Sequence, residues 1–247
     1  MKILRGIHTL YGSLVFLILS ILFFFPLLIP ILFPKKFRWV GIINRTWARL
    51  TFIFNFLPYQ VECHVPLNKT KQYIFCPNHF SYLDIPTMGL NPVNTVFVGK
   101  NDMENIPLFG FMYKKLHITV DRSKLKSKYD VFVKSRQAIE EGKSLVFYPE
   151  GGIFADHPPE MVRFKDGAFR LAIEKQIPIV PVTIPYNWIV LPPDEFLLRQ
   201  GNVKVIFHVP IETKGMDLHD IDVLKTQVFN KIDDELKKYA NRQGPAG

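Results

Sequence analysis

The sequence predicts an α/β domain whose mostly parallel mixed sheet is flanked by helices, preceded by an N-terminal membrane-associated two-helix segment. Three observations predict it. The first 57 residues open with an uncharged apolar stretch and pass into an amphipathic one. From about residue 58, short runs rich in β-branched and aromatic residues alternate with stretches of helical period, and such alternation builds a parallel sheet covered by helices. Composition supplies the third: of 247 residues, 48% are hydrophobic and 21% charged. Mean hydropathy is +0.09, enough apolar material for a core and an apolar outer surface besides.

Between Arg5 and Lys35 there is no Lys, Arg, Asp or Glu, and residues 9–33 read TLYGSLVFLILSILFFFPLLIPILF. About 20 such residues match a bilayer core. The run is too long for the apolar part of a signal peptide, and no small-x-small cleavage site precedes Pro34-Lys-Lys-Phe-Arg, so it is expected to be retained. Pro26, Pro30 and Pro34 are expected to break this helix near its end and let the chain turn back. A second helix follows, with Trp39, Ile43, Trp47, Leu50, Phe54 and Leu57 on one face and Arg38, Arg45 and Arg49 on another. Trp prefers the headgroup level and Arg reaches phosphates, so Trp39, Trp47, Arg45 and Arg49 are the expected membrane contacts. A core helix packed on the globular domain is the alternative. Two geometries compete, a straight single span and a helix pair dipping into one leaflet. Basic residues on both flanks of the apolar run favour the second, at the cytoplasmic face of the cell membrane.

The expected boundaries are 1–57 for the anchoring helices, 58–240 for the α/β domain and 241–247 for a flexible tail. Within the domain, YIFC, TVFVG, ITV, SLVFY, IVPVTI and VKVIFHV read as strands. SKLKSKYDVFVKSRQAIEEG reads as a helix stopping at Gly142, with FKDGAFRLAIEKQ and DLHDIDVLKTQVFNKIDDELKKYA as two more. Cys63 and Cys76 form no CxxC pair, and His117, His157, His208 and His219 are scattered, so no disulfide framework or metal centre is expected. The formal net charge of +9 favours an anionic partner. The N-terminus makes that partner membrane lipid; no nucleic-acid reading motif accompanies the charge.

Ligands of parallel sheets gather at the carboxyl ends of the strands, and the polar punctuation sits there. YIFC runs into PNHFSYLD, ITV into Asp121-Arg122, and SLVFY into Pro149-Glu150-Gly151-Gly152. His79 and Asp84 are five apart and cannot share a helical face. If a strand ends near Asn78 and a helix begins around Ser81, the loop folds Asp84 back under His79. A carboxylate on Nδ1 then fixes the tautomer and leaves Nε2 as a proton acceptor, with a substrate hydroxyl as the nucleophile. The plainer alternative is an Asp capping a helix beside a surface His.

Four stretches occur in order: His79-Phe-Ser-Tyr-Leu-Asp84, Val120-Asp121-Arg122, Tyr148-Pro149-Glu150-Gly151 and Ile179-Val180-Pro181-Val182. Together they resemble the four motifs of the glycerolipid acyltransferases typified by 1-acyl-sn-glycerol-3-phosphate acyltransferase. The resemblance covers roughly residues 70–190. It implies transfer of a fatty acyl group from an acyl-carrier protein or coenzyme A thioester to a lysophospholipid hydroxyl, lysophosphatidic acid giving phosphatidic acid. His79 would be the general base oriented by Asp84. Backbone N–H groups around the fourth motif would be candidates for holding the acyl donor's oxyanion, which puts Val180 and Pro181 at the acyl-donor side of the site. No bound cofactor is required, because a thioester is already activated; a monomer is expected.

The third motif departs from the family. Where many members have Glu-Gly-Thr-Arg, this chain has Glu150-Gly151-Gly152-Ile153. The family's phosphate-holding arginine is absent there, which leaves Arg122, assisted by Lys100 or Lys165, with Arg163 nearby. Gly151 and Gly152 offer backbone N–H groups to an anion, and Glu150 either orients the acceptor or fixes its own loop. Two rival classes remain: a lipid hydrolase using Ser81 or Cys76 as nucleophile, against which no G-x-S-x-G is present, and a non-catalytic membrane adaptor.

Overall fold

The computed structural model describes residues 2–100, 109–120 and 125–240. Asp121, Arg122 and the tail 241–247 lie outside the described residues, as does the side chain of Lys100. Helix α1 runs from Lys2 to Leu32 and α2 from Arg38 to Phe54, joined by a 3-10 turn over Pro34–Lys36. The domain then follows as β1 (Tyr59–Cys63), β2 (Ile74–Pro77), α3 (Asp84–Met88), β3 (Thr95–Lys100), α4 (Phe109–Leu116), β4 (Ile118–Val120) and α5 (Leu125–Glu140). It ends with β5 (Ser144–Phe147), α6 (Gly167–Lys175), β6 (Ile179–Thr183), α7 (Asn187–Val190), β7 (Val203–Phe207) and α8 (Ile221–Ala240).

The seven strands form one sheet in the order β1-β7-β6-β2-β5-β3-β4. Pairing from β6 to β4 is parallel throughout. β7 runs antiparallel to β6 and parallel to β1, so the sheet is mixed and mostly parallel, as the sequence predicts. Its central strands carry unbroken apolar runs because both faces are covered. One face packs on α5, α6 and α8, where Leu224, Val228, Ile232 and Leu236 make a fully buried stripe at four-residue spacing. The other face packs on α2 and α3 through Ala48, Phe52 and Met88. The expected stop of α5 at Gly142 is there: its φ of 83° is left-handed, and Lys143 N–H closes back on Ala138 O at 3.0 Å.

Two expectations about the N-terminus change. Pro26 and Pro30 lie inside α1 and only Pro34 ends it. Each proline removes one N–H, but four residues apart both defects share one face of a helix whose surroundings are apolar. The buried face of α2 is also not the aromatic stripe. It is Val40, Gly41, Ala48, Thr51 and Phe52, mostly small residues that let the helix lie close to the domain.

Helix α1 meets the rest of the chain at both ends. Near its start Thr9 Oγ1 accepts from Leu198 N–H (2.8 Å) and the His8 ring donates to Asn55 O (3.0 Å). Gly12 is required at this crossing, since a Cβ there would run into the Asn55 side chain. Near its end Leu27 packs with Val40, Met112 and Leu116. These contacts are separated by roughly 27 Å of helix at 1.5 Å per residue. The outward face is apolar, with Ile3, Leu4, Ile7, Leu10, Leu14, Ile18 and Phe25 exposed.

Candidate active site

The site is built where adjacent strands β2 and β5 end. Pro77 closes β2, and Asn78 continues its pairing through the side chain: Oδ1 accepts from Ile184 N–H (2.7 Å) and Nδ2 donates to Ile184 O (3.0 Å). The next residue, His79, is thereby lifted out of the sheet at a fixed height. Residues 82–83 turn, α3 begins at Asp84, and the loop brings the carboxylate back under the ring.

The His79 Nδ1–H donates to Asp84 Oδ2 at 2.9 Å. The same oxygen accepts from Phe80 N–H and Ser81 N–H, each at 2.9 Å. Oδ1 accepts from Asn187 Nδ2 at 2.9 Å. Asp84 is 1% exposed, so four donors satisfy a buried charge. The two readings of this pair therefore combine: Asp84 ties down its own turn and orients the histidine. Its grip on Nδ1 leaves Nε2 as the basic nitrogen, and the side chain of His79 keeps 12% exposure.

Strand β5 supplies the other half. The Tyr148 ring stacks on the His79 ring, centroids 4.0 Å apart and planes at 24°, and its hydroxyl donates to Asp84 O at 3.0 Å. Glu150 lies beneath. Oε1 accepts from the backbone N–H of His79 (2.7 Å) and Oε2 from that of Val162 (3.3 Å), at 1% exposure. Burial pushes its carboxyl up to about 8 against those two donors, and the Asp84 charge adds to the rise. Gly151, at φ 84°, closes the turn with its N–H on Tyr148 O (2.9 Å). The Lys165 side chain lies across it where a Cβ would sit.

Residues 60–185, about half of the chain, match the acyltransferase family model. The chain belongs to the acyltransferase family. It is 28% identical over 189 residues to a chloroplast 1-acyl-sn-glycerol-3-phosphate acyltransferase of Arabidopsis thaliana, covering 75% of this chain and 52% of that one. To the 1-acyl-sn-glycerol-3-phosphate acyltransferase of Haemophilus influenzae it is 28% identical over 216 residues, 81% of this chain and 85% of that one. The chain thus spans about half the length of the plant relatives it matches and most of the bacterial one. The crystal structure of the 1-acyl-sn-glycerophosphate acyltransferase of Thermotoga maritima superposes with a TM-score of 0.82 over 97% of both chains at 19% identity. At that identity the likeness is one of fold.

Within this acyltransferase-family domain, the sequence-selected residues separate into groups. His79, Asp84, Glu150 and Gly151 converge, with Gly152 beside them on the loop. Glu150, expected against substrate, instead has both oxygens on backbone N–H groups inside the protein. Lys165 lies against Gly151 with its Nζ 5.5 Å from the Phe154 ring centroid. The backbone of Lys100 ends β3; its side chain and Arg122 lie outside the described residues. Val180 and Pro181 are buried within β6, paired with Phe75 and Cys76 below the level of His79. Pro181 has no N–H to give, so neither is placed as an oxyanion donor. On α2, Trp39 and Arg49 point outward, whereas two expected membrane contacts turn inward. The Trp47 ring packs on Phe16 with centroids 5.7 Å apart, and Arg45 donates to Asn91 O (3.0 Å) and Pro92 O (3.3 Å).

Neither rival nucleophile is poised. Cys76 is fully buried, which drives its thiol pKa far up. Ser81 Oγ donates to Leu191 O (2.7 Å) and accepts from Leu83 N–H (3.1 Å). Sequence reasoning missed Asn187 and the stacking role of Tyr148. Asn187 holds Asp84 from 103 residues away, a distance no local spacing encodes. One further feature is an apolar groove of about 280 Å³ between α1, α2 and α3, walled by Phe16, Trp47, Phe52, Leu83, Ile85 and Leu198. Two of its walls, Leu83 and Ile85, flank Asp84 in sequence.

Proposed function

We propose that this protein transfers a fatty acyl group from a thioester to the free hydroxyl of lysophosphatidic acid, giving phosphatidic acid, at a membrane surface. The observation that carries the reading is the His79–Asp84 pair, held by four donors on the carboxylate, with neither Ser81 nor Cys76 poised as a nucleophile among the described residues. His79 Nε2 takes the hydroxyl proton as the acceptor oxygen attacks the thioester carbonyl; the C–O bond forms, the C–S bond breaks, and the proton passes to the departing thiolate. The relatives' names supply the acceptor, and the apolar groove walled by Leu83 and Ile85, the chain neighbours of Asp84, suits an acyl chain. Purified protein is to be incubated with a panel of lysolipids and with acyl-carrier protein and coenzyme A donors, and products identified by mass. Phosphatidic acid formed only when both substrates are present supports the reading. Free fatty acid released without acceptor would favour a hydrolase instead.

The acceptor phosphate monoester calls for charge-assisted hydrogen bonds, each worth about 1.5–3 kcal/mol. With no arginine after Glu150-Gly151-Gly152, Arg122 is the proposed ligand, from sequence alone, with Lys165 or Lys100 assisting. Arg122→Ala is expected to lower kcat/KM for lysophosphatidic acid about 10- to 100-fold while leaving dependence on the donor nearly unchanged. Equal losses on an acceptor with an esterified, zwitterionic headgroup would remove Arg122 from that role, and another lysophospholipid acceptor would become the better reading.

The membrane part rests on α1, a 31-residue helix of mean hydropathy 2.9 over its most apolar window, with an exposed apolar face. A helix docked to one domain at Thr9 and again at Leu27 has both ends on one side of the bilayer. The pair α1–α2 is therefore proposed to lie in a single leaflet on the cytoplasmic side. Cysteines placed at position 2 and at position 35, with the exposed Cys63 replaced by Ser, should both resist labelling from outside the cell. Labelling at position 2 alone would establish a single span.

A further inference from the structure

Histidines dispersed along the sequence come together at the opposite edge of the sheet from β4. His64 follows the last residue of β1 and His208 the last residue of β7. These strands are parallel, with Cys63 opposite Phe207, and His64 N–H bonds Phe207 O at 2.9 Å. Equal strand ends in a parallel pair set the two rings side by side, centroids 4.7 Å apart and perpendicular. Helix α8, which packs on the neighbouring β6, adds Glu235. One donor atom from each of the three residues lies within 4.8 Å of the others.

We propose that His64, His208 and Glu235 bind a divalent transition-metal ion, zinc by preference, that fastens α8 to the β1–β7 edge. His208 is 1% exposed, and its Nδ1 is buried without a hydrogen-bond partner, an orphan that a metal ion would satisfy. Its other nitrogen, Nε2, stands 2.8 Å from Thr183 Oγ1. In the tautomer where Nε2–H donates to that hydroxyl, Nδ1 carries the lone pair, which is how an outer partner orients a histidine ligand.

Two histidines and a carboxylate are a zinc donor set, and three protein ligands leave the fourth position to water. Water has access on the His64 side, where that side chain is 31% exposed. Tetrahedral bonds of about 2.0–2.1 Å place donors roughly 3.3 Å apart, so the cluster must tighten when it binds. His64 and Glu235 are the parts able to move: His64 Nε2 is only loosely set, 3.4 Å from Glu62 Oε1, and one Glu235 oxygen is on the surface Lys238 at 2.7 Å. Irving–Williams ordering makes copper a competitor in vitro. No sequence motif announces the site, because the two histidines, 144 positions apart, are brought together only by strand register.

The test uses the full chain, stripped with chelator and free of any histidine tag, titrated with Zn²⁺ alone by calorimetry or competition with a chromophoric chelator. One ion per chain is expected, with a melting temperature raised roughly 5–10 °C at a hundredfold excess over Kd. His64→Ala and Glu235→Gln should each weaken binding by at least ~100-fold, since even an outer partner is worth 10- to 100-fold. Thr183→Val, which conserves shape, should weaken it within that outer-partner range. His79→Ala should bind zinc as the wild type does. No binding, or equal binding in the His64 and Glu235 variants, overturns the proposal; so does loss of binding in His79→Ala, which would put the ion at the acyl-transfer site.

Discussion

His79→Ala is expected to lower turnover by at least ~100-fold, the scale of losing a positioned general base, in a protein that still folds. Removing the partly exposed ring forfeits its stacking contact with Tyr148 and one of the four hydrogen bonds to Asp84, whose other three donors remain. Asp84→Asn should be at least as damaging to turnover, because an amide on Nδ1 selects the wrong tautomer. The two variants should differ in stability. Asp84 accepts four hydrogen bonds in the core, and an asparagine must turn an NH₂ toward other donors, so it should lose about 2–4 kcal/mol where His79→Ala loses about 1. Single-turnover rates and denaturant melts on both variants separate the effects. Near-normal activity in well-folded His79→Ala would sink the mechanism.

Glu150 should govern both stability and its dependence on pH. Glu150→Ala leaves the buried N–H of His79 without an acceptor and loosens that of Val162. The expected cost is about 2–4 kcal/mol, roughly 5–15 °C in melting temperature, with turnover reduced because the loop that carries His79 hangs from that bond. A carboxyl whose folded-state pKa is raised from 4.5 to about 8 holds its proton more tightly folded than unfolded. Its contribution is complete below pH 4.5 and is lost as pH rises through about 8. Wild-type protein should therefore lose on the order of a few kcal/mol between pH 5 and pH 9. Glu150→Gln, which keeps an acceptor for His79 N–H and cannot ionise, should show a flatter profile. A Glu150→Gln slope matching wild type would mean that Glu150 does not titrate in this range.

What could be read from the chain, and what could not, follows from the range of the signals. Buried parallel strands announce themselves as apolar runs, and five sequence-predicted strands between β2 and β6 stand within a residue or two of their places. β1 was silent because, as an edge strand paired only with β7, its YQVEC is half polar. Helices α3, α4 and α7 are too short to show a period. On α2 the aromatic stripe drew attention, while the face that packs is made of small residues, whose value lies in close approach. The His79–Asp84 pair is local and was legible; Asn187, which holds it, is joined through the fold. Glu150 was legible as a site residue, but that its carboxylate faces inward to backbone depends on a loop 71 residues away. Val180 and Pro181 carry a motif resemblance, yet strand register sets them in the core.

On the proposed reading, with α1 moored to the domain at Thr9 and Leu27 and the groove opening between it and α3, a lipid would enter sideways from the leaflet without crossing water. The concentration that the enzyme senses is then a surface mole fraction. Spreading a fixed amount of acceptor through more inert lipid should slow the reaction even when its bulk concentration is unchanged. Product would leave into the same plane, so successive turnovers would enrich the bilayer patch around each molecule, and the velocity of the enzyme would be tied to the rate of lateral diffusion.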